Sequence, residues 1–299
     1  MKERRSLVIM CSWGRLGNQL FQYSFLAESA KSGDVAIFFG ANELREVLKP
    51  STSVRLVAIK SSRVLYWFRR VFTALATIAQ RFSLWAVIEQ ECTAEHGRLD
   101  RVKKSLGLAP VVQIMPGFFQ SAKMISANVP SESDFQDQLQ VRARQIIDSF
   151  KKVHSERNIV FVHVRRGDYL TWSVLGKSNP SLPIGYYRHA MALLQEHFNN
   201  DIFWLVVGDD PQWLVDATGI DSENSWVSKE SAGIDLLLMA FADGGIMSNS
   251  TLCWWGSKLG GRVRPLVCPE HWLGFKSKRW YPVGVKPPFA THVVRVPES

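Results

Sequence analysis

The sequence predicts an α/β protein of two domains, and three observations carry the prediction. Short apolar runs of strand length alternate with longer runs of helical spacing, the pattern of a parallel sheet covered by helices. Each half opens on an apolar strand that runs into a polar or glycine-containing tip and leads on to a helix. The 299 residues, 46% hydrophobic and 21% charged, suit two ordinary cores or one at its upper limit, since single cores stop growing near about 250 to 300 residues.

In the first half, Leu7-Val8-Ile9-Met10-Cys11 reads as a buried strand, Trp13 to Gly17 as a loop, and Asn18 as the N-cap of a helix through Ala30. Val35 to Phe39 is the next strand. Strand, glycine loop, helix and strand make a βαβ unit, which requires parallel pairing. Arg63 to Glu89 mixes aromatic, aliphatic and arginine residues and reads as helical or mixed. Val111 to Gln120 reads as a strand entering a Pro-Gly turn. The Ser131-Glu132-Ser133-Asp134 cluster opens an amphipathic helix to Val153, and the boundary is placed at its end, giving domains 1–154 and 155–299.

The second half is more regular. Strands are expected at Asn158 to Val164, Ile202 to Val207, Gly245 to Met247 and Arg264 to Cys268, and helices at Gly185 to Phe198, Ile234 to Phe241 and Thr251 to Leu259. Ligands of an open α/β sheet bind beyond the carboxyl ends of its strands. The tips there are polar: Arg165-Arg166-Gly167-Asp168, Gly208-Asp209-Asp210 and Ser248-Asn249-Ser250-Thr251. Strand alternation puts His163 and Arg165 on one face and Arg166 on the other. Ser250 and Thr251 stand at a helix start, where free N–H groups favour a phosphate.

A formal net charge of +9 favours an anionic partner, whether nucleic acid, a nucleotide or a membrane surface. The chain has 11 tryptophans but no helix-turn-helix, zinc-finger or RNP pattern and no clustered basic stripe, so nucleic acid is not the expected partner. Cys11, Cys92, Cys253 and Cys268 are scattered without a C-x-x-C pair, which fits a reducing compartment and no zinc site. Lys2, Arg4 and Arg5 precede the apolar run Leu7 to Cys11, which is too short for a signal peptide. No segment reaches membrane-spanning length, and the expected location is cytoplasmic. Arg63 to Trp85 sets Trp67, Phe68, Phe72, Phe82 and Trp85 among Arg63, Arg69, Arg70 and Arg81, the composition of an interfacial helix. It predicts peripheral contact with an anionic membrane on its inner face. An ordinary core helix with a solvated basic edge is the alternative.

Three motifs together carry a family resemblance. Gly14-Arg15-Leu16-Gly17-Asn18-Gln19-Leu20-Phe21-Gln22-Tyr23, His163-Val164-Arg165-Arg166-Gly167-Asp168-Tyr169, and Ser248-Asn249-Ser250-Thr251 running into Trp254-Trp255-Gly256 resemble those of the α1,2-fucosyltransferases, inverting enzymes that move fucose from GDP-fucose to a galactose hydroxyl. Smaller matches are Gly117-Phe118-Phe119-Gln120, Gly208-Asp209-Asp210 and Pro269-Glu270-His271-Trp272. Many relatives carry Gly in place of Arg15. The resemblance implies a GT-B-type architecture, two Rossmann-like domains facing a cleft, with the donor in the C-terminal one. It also implies GDP-fucose and a galactose-terminated glycan as partners, and no metal or other cofactor.

Fucosyl transfer loads negative charge onto the leaving pyrophosphate, and a guanidinium can neutralise it with a planar fork that fits phosphate. By resemblance, Arg165 is assigned to the pyrophosphate and to catalysis, while Arg166 pairs with Asp168 or anchors the loop. Asp235 is assigned to guanine N1–H and N2–H, Ser250 and Thr251 to phosphate oxygens, and His163 to the nucleoside side. Asp209 and Asp210 are candidate nucleotide contacts. Asn18 and Gly17, with their loop, are assigned to the fucose and phosphate. Asp168 is a candidate general base or an orienting group.

Plainer readings stand beside these. Asp209 and Asp210 precede Pro211 and fit an N-cap. Asp235 fits a helix-dipole partner, His163 a satisfied core histidine, and Trp254 and Trp255 core packing. Rival functions are an O-fucosylating transferase, a sugar-binding protein without catalysis and a basic nucleic-acid-binding protein.

Overall fold

Strand β1 (Leu7–Cys11) alternates half-buried and buried residues, and pairs in parallel with β2 (Val35–Phe39) across helix α1 (Leu16–Ser29), the βαβ unit expected from the sequence. The structure is a computed structural model that describes residues 5–93, 97–125 and 130–297; Lys2 and Arg4 lie outside them. The chain divides into two compact units, Met1–Gln136 and Asp137–Ser299.

After β2 the first unit continues through α2 (Asn42–Val47), β3 (Val54–Val57), α3 (Ser62–Phe82), β4 (Trp85–Thr93), β5 (Gly97–Lys104) and β6 (Ala109–Ile114). Its sheet has the order β3-β2-β1-β6-β4-β5, parallel except for β5 against β4. The mixed segment from Arg63 thus resolves into a helix, closed by Ser83 in the left-handed conformation (φ 52°), and a strand. Ala76 and Ala79 pack on Val87, small side chains that let α3 lie close to the sheet. Asn18 does not cap α1. The helix starts with Arg15 in the N-cap position, and Glu43 Oε2 accepts the Leu16 backbone N–H at 3.0 Å.

The second unit runs α4 (Asp137–Val153), β7 (Asn158–Val164), the small hairpin β8 (Ser173–Val174) and β9 (Lys177–Ser178), α5 (Ile184–His197), β10 (Ile202–Gly208), α6 (Pro211–Thr218), β11 (Ser225–Val227), α7 (Ala232–Phe241), β12 (Gly244–Ile246), α8 (Thr251–Leu259), β13 (Leu266–Pro269) and β14 (His292–Val294). Its main sheet is parallel throughout, in the order β11-β10-β7-β12-β13-β14. That is the doubly wound Rossmann order, with the winding reversing between β7 and β12. α4 packs on α7 and belongs to this unit, so the break between units falls ahead of α4 and not after it. Arg144 of α4 lies 4.4 Å over the Phe241 ring of α7, and Phe150 of α4 meets Phe203 of β10 in a tilted ring pair with centroids 5.0 Å apart. β7 and β10 are buried on both faces, which is why both read as unbroken apolar runs.

Candidate active site

The reversal of winding in the second unit opens a crevice beyond the carboxyl ends of β7 and β12, where open α/β sheets bind ligands. Beside it, β10 ends on Gly208 with φ 135°, packed so closely against the Val164 carbonyl that any Cβ would collide with it. Glycine is required there, and it carries the next two residues across the end of β7.

Asp209 therefore meets both arginines. Its Oδ1 accepts the Arg166 backbone N–H at 2.8 Å, and its Oδ2 lies 2.9 Å from Arg165 Nη1. Arg165 Nη2 donates to Asp168 Oδ1 at 2.7 Å, and the guanidinium lies 5.1 Å over the Tyr169 ring. Gly167 leaves the room this needs, since a Cβ there would come within 2.6 Å of Asp209 Oδ2. Of the two alternatives for Arg166, pairing with Asp168 or anchoring the loop, the second is seen. Arg166 Nε donates to Asp210 Oδ2 at 2.9 Å and its guanidinium stacks 3.9 Å over Trp213, so Arg166 anchors the tip while Arg165 holds Asp168. The capping role weighed for Asp209 and Asp210 is replaced. Asp210 occupies the N-cap position of α6 without a side-chain cap bond, and both carboxylates serve the arginines.

His163 Nδ1 lies 2.8 Å from Ser248 Oγ, tying the end of β7 to the residues that follow β12. Burial, reinforced by the nearby Arg165 charge, pulls its pKa down to about 3, so the imidazole is neutral. This is the satisfied buried histidine of the plainer reading, placed at the crevice wall. Ser250 caps α8, its Oγ accepting the Leu252 N–H at 3.3 Å, and Thr251 opens that helix. Between them and β12, Asn249 Nδ2 donates to the Pro180 carbonyl at 2.7 Å, while its buried Oδ1 has no hydrogen-bond partner among the described residues. Trp254 and Trp255 are fully buried, as core packing requires.

Asp235 lies in the first turn of α7, at the same edge of the sheet, following the carboxyl end of β11. It is 7% exposed and accepts a hydrogen bond from Ser228 Oγ. Burial pushes its pKa up to about 7, against the Ser228 bond that lowers it, and Glu230 adds to the rise. A buried carboxylate with acceptor positions to spare is suited to a ligand that brings paired donors.

In the first unit, two motif glutamines hold the loop after β1. Gln19 Nε2 donates to the Gly14 carbonyl and its Oε1 accepts the Leu44 N–H, both at 3.0 Å. Gln22 Nε2 donates to the carbonyls of Trp13 and Gly117 at 2.8 Å, and its Oε1 accepts the Trp13 N–H. Gly14, at φ 80°, lies against the Asn18 side chain with no space for a Cβ. Asn18 Oδ1 accepts from Gln120 Nε2 at 2.7 Å, so the residues following β6 meet the first motif here. Gly17 is buried within the first turn of α1 and is not part of the loop.

Sequence reasoning missed Ser248, Tyr169 and Trp213, the partners that hold His163, Arg165 and Arg166. Ser248 and Tyr169 stand inside the quoted motifs, so their signal was present without an assigned role; Trp213 had none. Among the described residues, no group of three or more His, Cys, Asp or Glu has the arrangement to hold a metal ion. A surface pocket of about 410 Å³ lined by Arg188, Trp204 and Asn224 lies toward the amino end of β10, away from these residues.

Comparison with known proteins agrees with this geometry. The chain is 31% identical over 135 residues to the O-antigen biosynthesis glycosyltransferase WbnK of Escherichia coli, covering 43% of this chain and 44% of that protein. It is 28% identical over 137 residues to an alpha-1,2-colitosyltransferase of Escherichia coli, covering 39% and 47%. Each alignment thus spans less than half the relative's length. The crystal structure of the glycosyl transferase family 9 protein from Veillonella parvula DSM 2008 matches 99% of this chain and 89% of its own, with TM-score 0.52 at 10% identity, which shows a shared GT-B-type fold. Residues 1–273 match Glycosyl transferase family 11 as a whole, and with two Rossmann-like units and an arginine-bearing tip at the switch point, the chain belongs to that family of glycosyltransferases.

Proposed function

We propose that the chain transfers L-fucose from GDP-β-L-fucose to the 2-hydroxyl of a terminal galactose, with inversion, forming an α1,2 linkage. The observation that carries this reading is Arg165, 16% exposed and held between two carboxylates at the switch-point crevice. Pyrophosphate oxygens can take the place of those carboxylates on the same fork. As the acceptor oxygen bonds to C1, the C1–O bond to the β-phosphate breaks and its electron pair leaves with GDP; Arg165 meets the charge that develops there. Ser250 and Thr251 supply a helix start for phosphate oxygens, and Asp235 supplies acceptors for guanine N1–H and N2–H. Asp168, beside Arg165 and with 66% of its side chain exposed, is proposed to take the acceptor's proton or to orient the guanidinium. Asn18 and Gly17 are proposed as contacts to the sugar and phosphate by resemblance to the fucosyltransferases alone. A colitosyl donor is the second reading, favoured by the 28% identical relative of that name.

The test is incubation with fucosyl, colitosyl and other GDP-sugars against galactose-terminated acceptors, with linkage analysis of the product. An α1,2-linked fucoside is expected. GDP binding without transfer from any donor would leave a sugar-nucleotide-binding protein and overturn the enzymatic reading.

A further inference from the structure

Helix α3 turns an apolar stripe to the outside. Val64, Trp67, Val71, Leu75, Ile78 and Phe82 recur at intervals of three and four, one line along the helix, and are between 44% and 63% exposed. The core contacts of α3 are made by other residues, Phe72, Ala76 and Ala79, on the face toward the sheet. α3 thus packs on the sheet through one face, as the core-helix alternative has it, and carries a second, exposed apolar stripe that this alternative does not account for.

A second apolar feature adjoins the end of the helix. Leu106 and Leu108, in the turn between β5 and β6, are 87% and 86% exposed. The turn is fixed to the C-terminal end of α3, the Leu108 N–H donating to the Ser83 carbonyl at 3.1 Å and the Ala109 N–H to Leu84 at 2.9 Å. Gly107 lies so close to the Trp85 backbone that any Cβ would collide with it, so the turn is held against the sheet with its leucines outward. Surface hydrophobes scattered singly need no explanation, but a continuous stripe with a leucine turn at its end marks an interaction surface.

Charge identifies the occupant. Arg63, Arg70 and Arg81 are exposed, and at 3.6 residues per turn they fall on a single line about a quarter-turn from the stripe. Arg70 lies 5.7 and 5.6 Å over the rings of Tyr66 and Trp67, and exposed Lys103 and Lys104 precede the leucine turn. Ser62–Phe82 contains no acidic residue. A second copy docking through the same stripe would bring the same cations and no anionic side chain from α3 to meet them. Apolar and aromatic residues bordered by cations are the composition that lies in the interface of an anionic bilayer.

We propose that α3 and the turn at residues 105–108 form a membrane-docking face, with the stripe and the two leucines at the acyl boundary and the arginines and lysines at lipid phosphates. The test is co-sedimentation of the full chain with phosphatidylcholine vesicles that contain or lack phosphatidylglycerol. Binding to the anionic vesicles is expected, falling with added salt. The triple change Arg63→Gln, Arg70→Gln, Arg81→Gln is expected to weaken it on the order of a hundredfold. Leu106→Ser with Leu108→Ser is expected to weaken it by roughly tenfold or more. All five positions are exposed, and unchanged thermal unfolding of each variant separates docking from folding. Equal binding to neutral vesicles, or no binding to either, overturns the proposal. So does a dimer in sedimentation velocity that Val71→Glu dissociates while wild type ignores anionic vesicles.

Discussion

Arg165 Nη1 and Asp209 Oδ2 lie 2.9 Å apart across the adjacent ends of β7 and β10. With Asp168 on the other terminal nitrogen, the guanidinium is aligned by partners that an incoming anion can replace, so little ordering remains to be done when the leaving group gains charge. Arg165→Ala is expected to lower kcat/KM for GDP-fucose about a hundredfold, roughly 3 kcal/mol. Arg165→Lys should recover little, because an ammonium keeps the charge and loses the fork. Arg166→Ala should act mainly through loop order, since that side chain is spent on Asp210 and Trp213. Kinetics on all three variants beside thermal unfolding would separate the roles. Near wild-type turnover in folded Arg165→Ala would remove the pyrophosphate assignment.

Two glycines with positive φ should behave differently. Gly208→Ala forces a Cβ into the Val164 carbonyl and should cost about 3 kcal/mol or more. Gly219, the left-handed residue closing α6, has nothing within 4 Å of a Cβ, so Gly219→Ala should cost only the conformational strain, about 1 kcal/mol. Each kcal/mol corresponds to roughly 2 to 4 °C in melting temperature for a unit of this size. Gly208→Ala should also weaken GDP binding, because Asp209 is carried on it, whereas Gly219→Ala should leave binding unchanged. Equal melting shifts for the pair would contradict the close approach of β10 to β7.

The parts of the fold legible in the sequence were those whose signal is local. β7 and β10 are buried on both faces and ended within a residue of where their apolar runs end. β5 was not legible, because Gly97–Lys104 is a charged edge strand, and β11 and β14 are three residues each. Asn18 looked like an N-cap because its residue type favours that place. The helix instead starts three residues earlier, with Arg15 at the N-cap and Glu43 from α2 accepting the Leu16 N–H, a partner far along the chain. The same limit applied at the site. His163, Arg165 and Arg166 stood out in the sequence. Of the two places offered for Arg166 the loop anchor is the one seen, and its partner Asp210, like Asp209 beside Arg165, is near only across the sheet, where no local pattern reports it. The raised affinity of Asp235 for a proton depends on burial, which no local pattern reports.

Fucosyl transfer is expected to proceed without a divalent metal. Asp210 is held by Arg166, and Asp168 and Asp209 by Arg165, the cation proposed for the pyrophosphate, so these carboxylates are engaged by guanidinium groups. Product formation measured in excess chelator should match that in its absence. Loss of activity on chelation, restored by Mn²⁺ or Mg²⁺, would show that the arginines do not suffice.

Binding of GDP should depend on pH through Asp235. An ionised carboxylate can accept guanine N1–H and N2–H together, whereas the protonated acid gives up an acceptor position to its own proton. Burial raises this carboxyl from 3.8 to about 7, so below pH 7 the group must lose a proton before guanine can pair with it. Affinity for GDP should therefore rise with pH, by up to about tenfold per unit below 7, and level off above. Stability without nucleotide should run the other way. A carboxyl whose folded pKa is raised contributes most below its unfolded value, and that contribution is lost as pH rises from about 4 through 7. Asp235→Asn should weaken GDP binding by about tenfold or more, the loss of a charge-assisted pair, and should flatten both dependences. Titration calorimetry with GDP from pH 5.5 to 8 on wild type and Asp235→Asn gives the comparison, and the phosphate's own titration cancels in the difference between them. If the two proteins show the same pH dependence, Asp235 does not read the base, and its burial with Ser228 is structural.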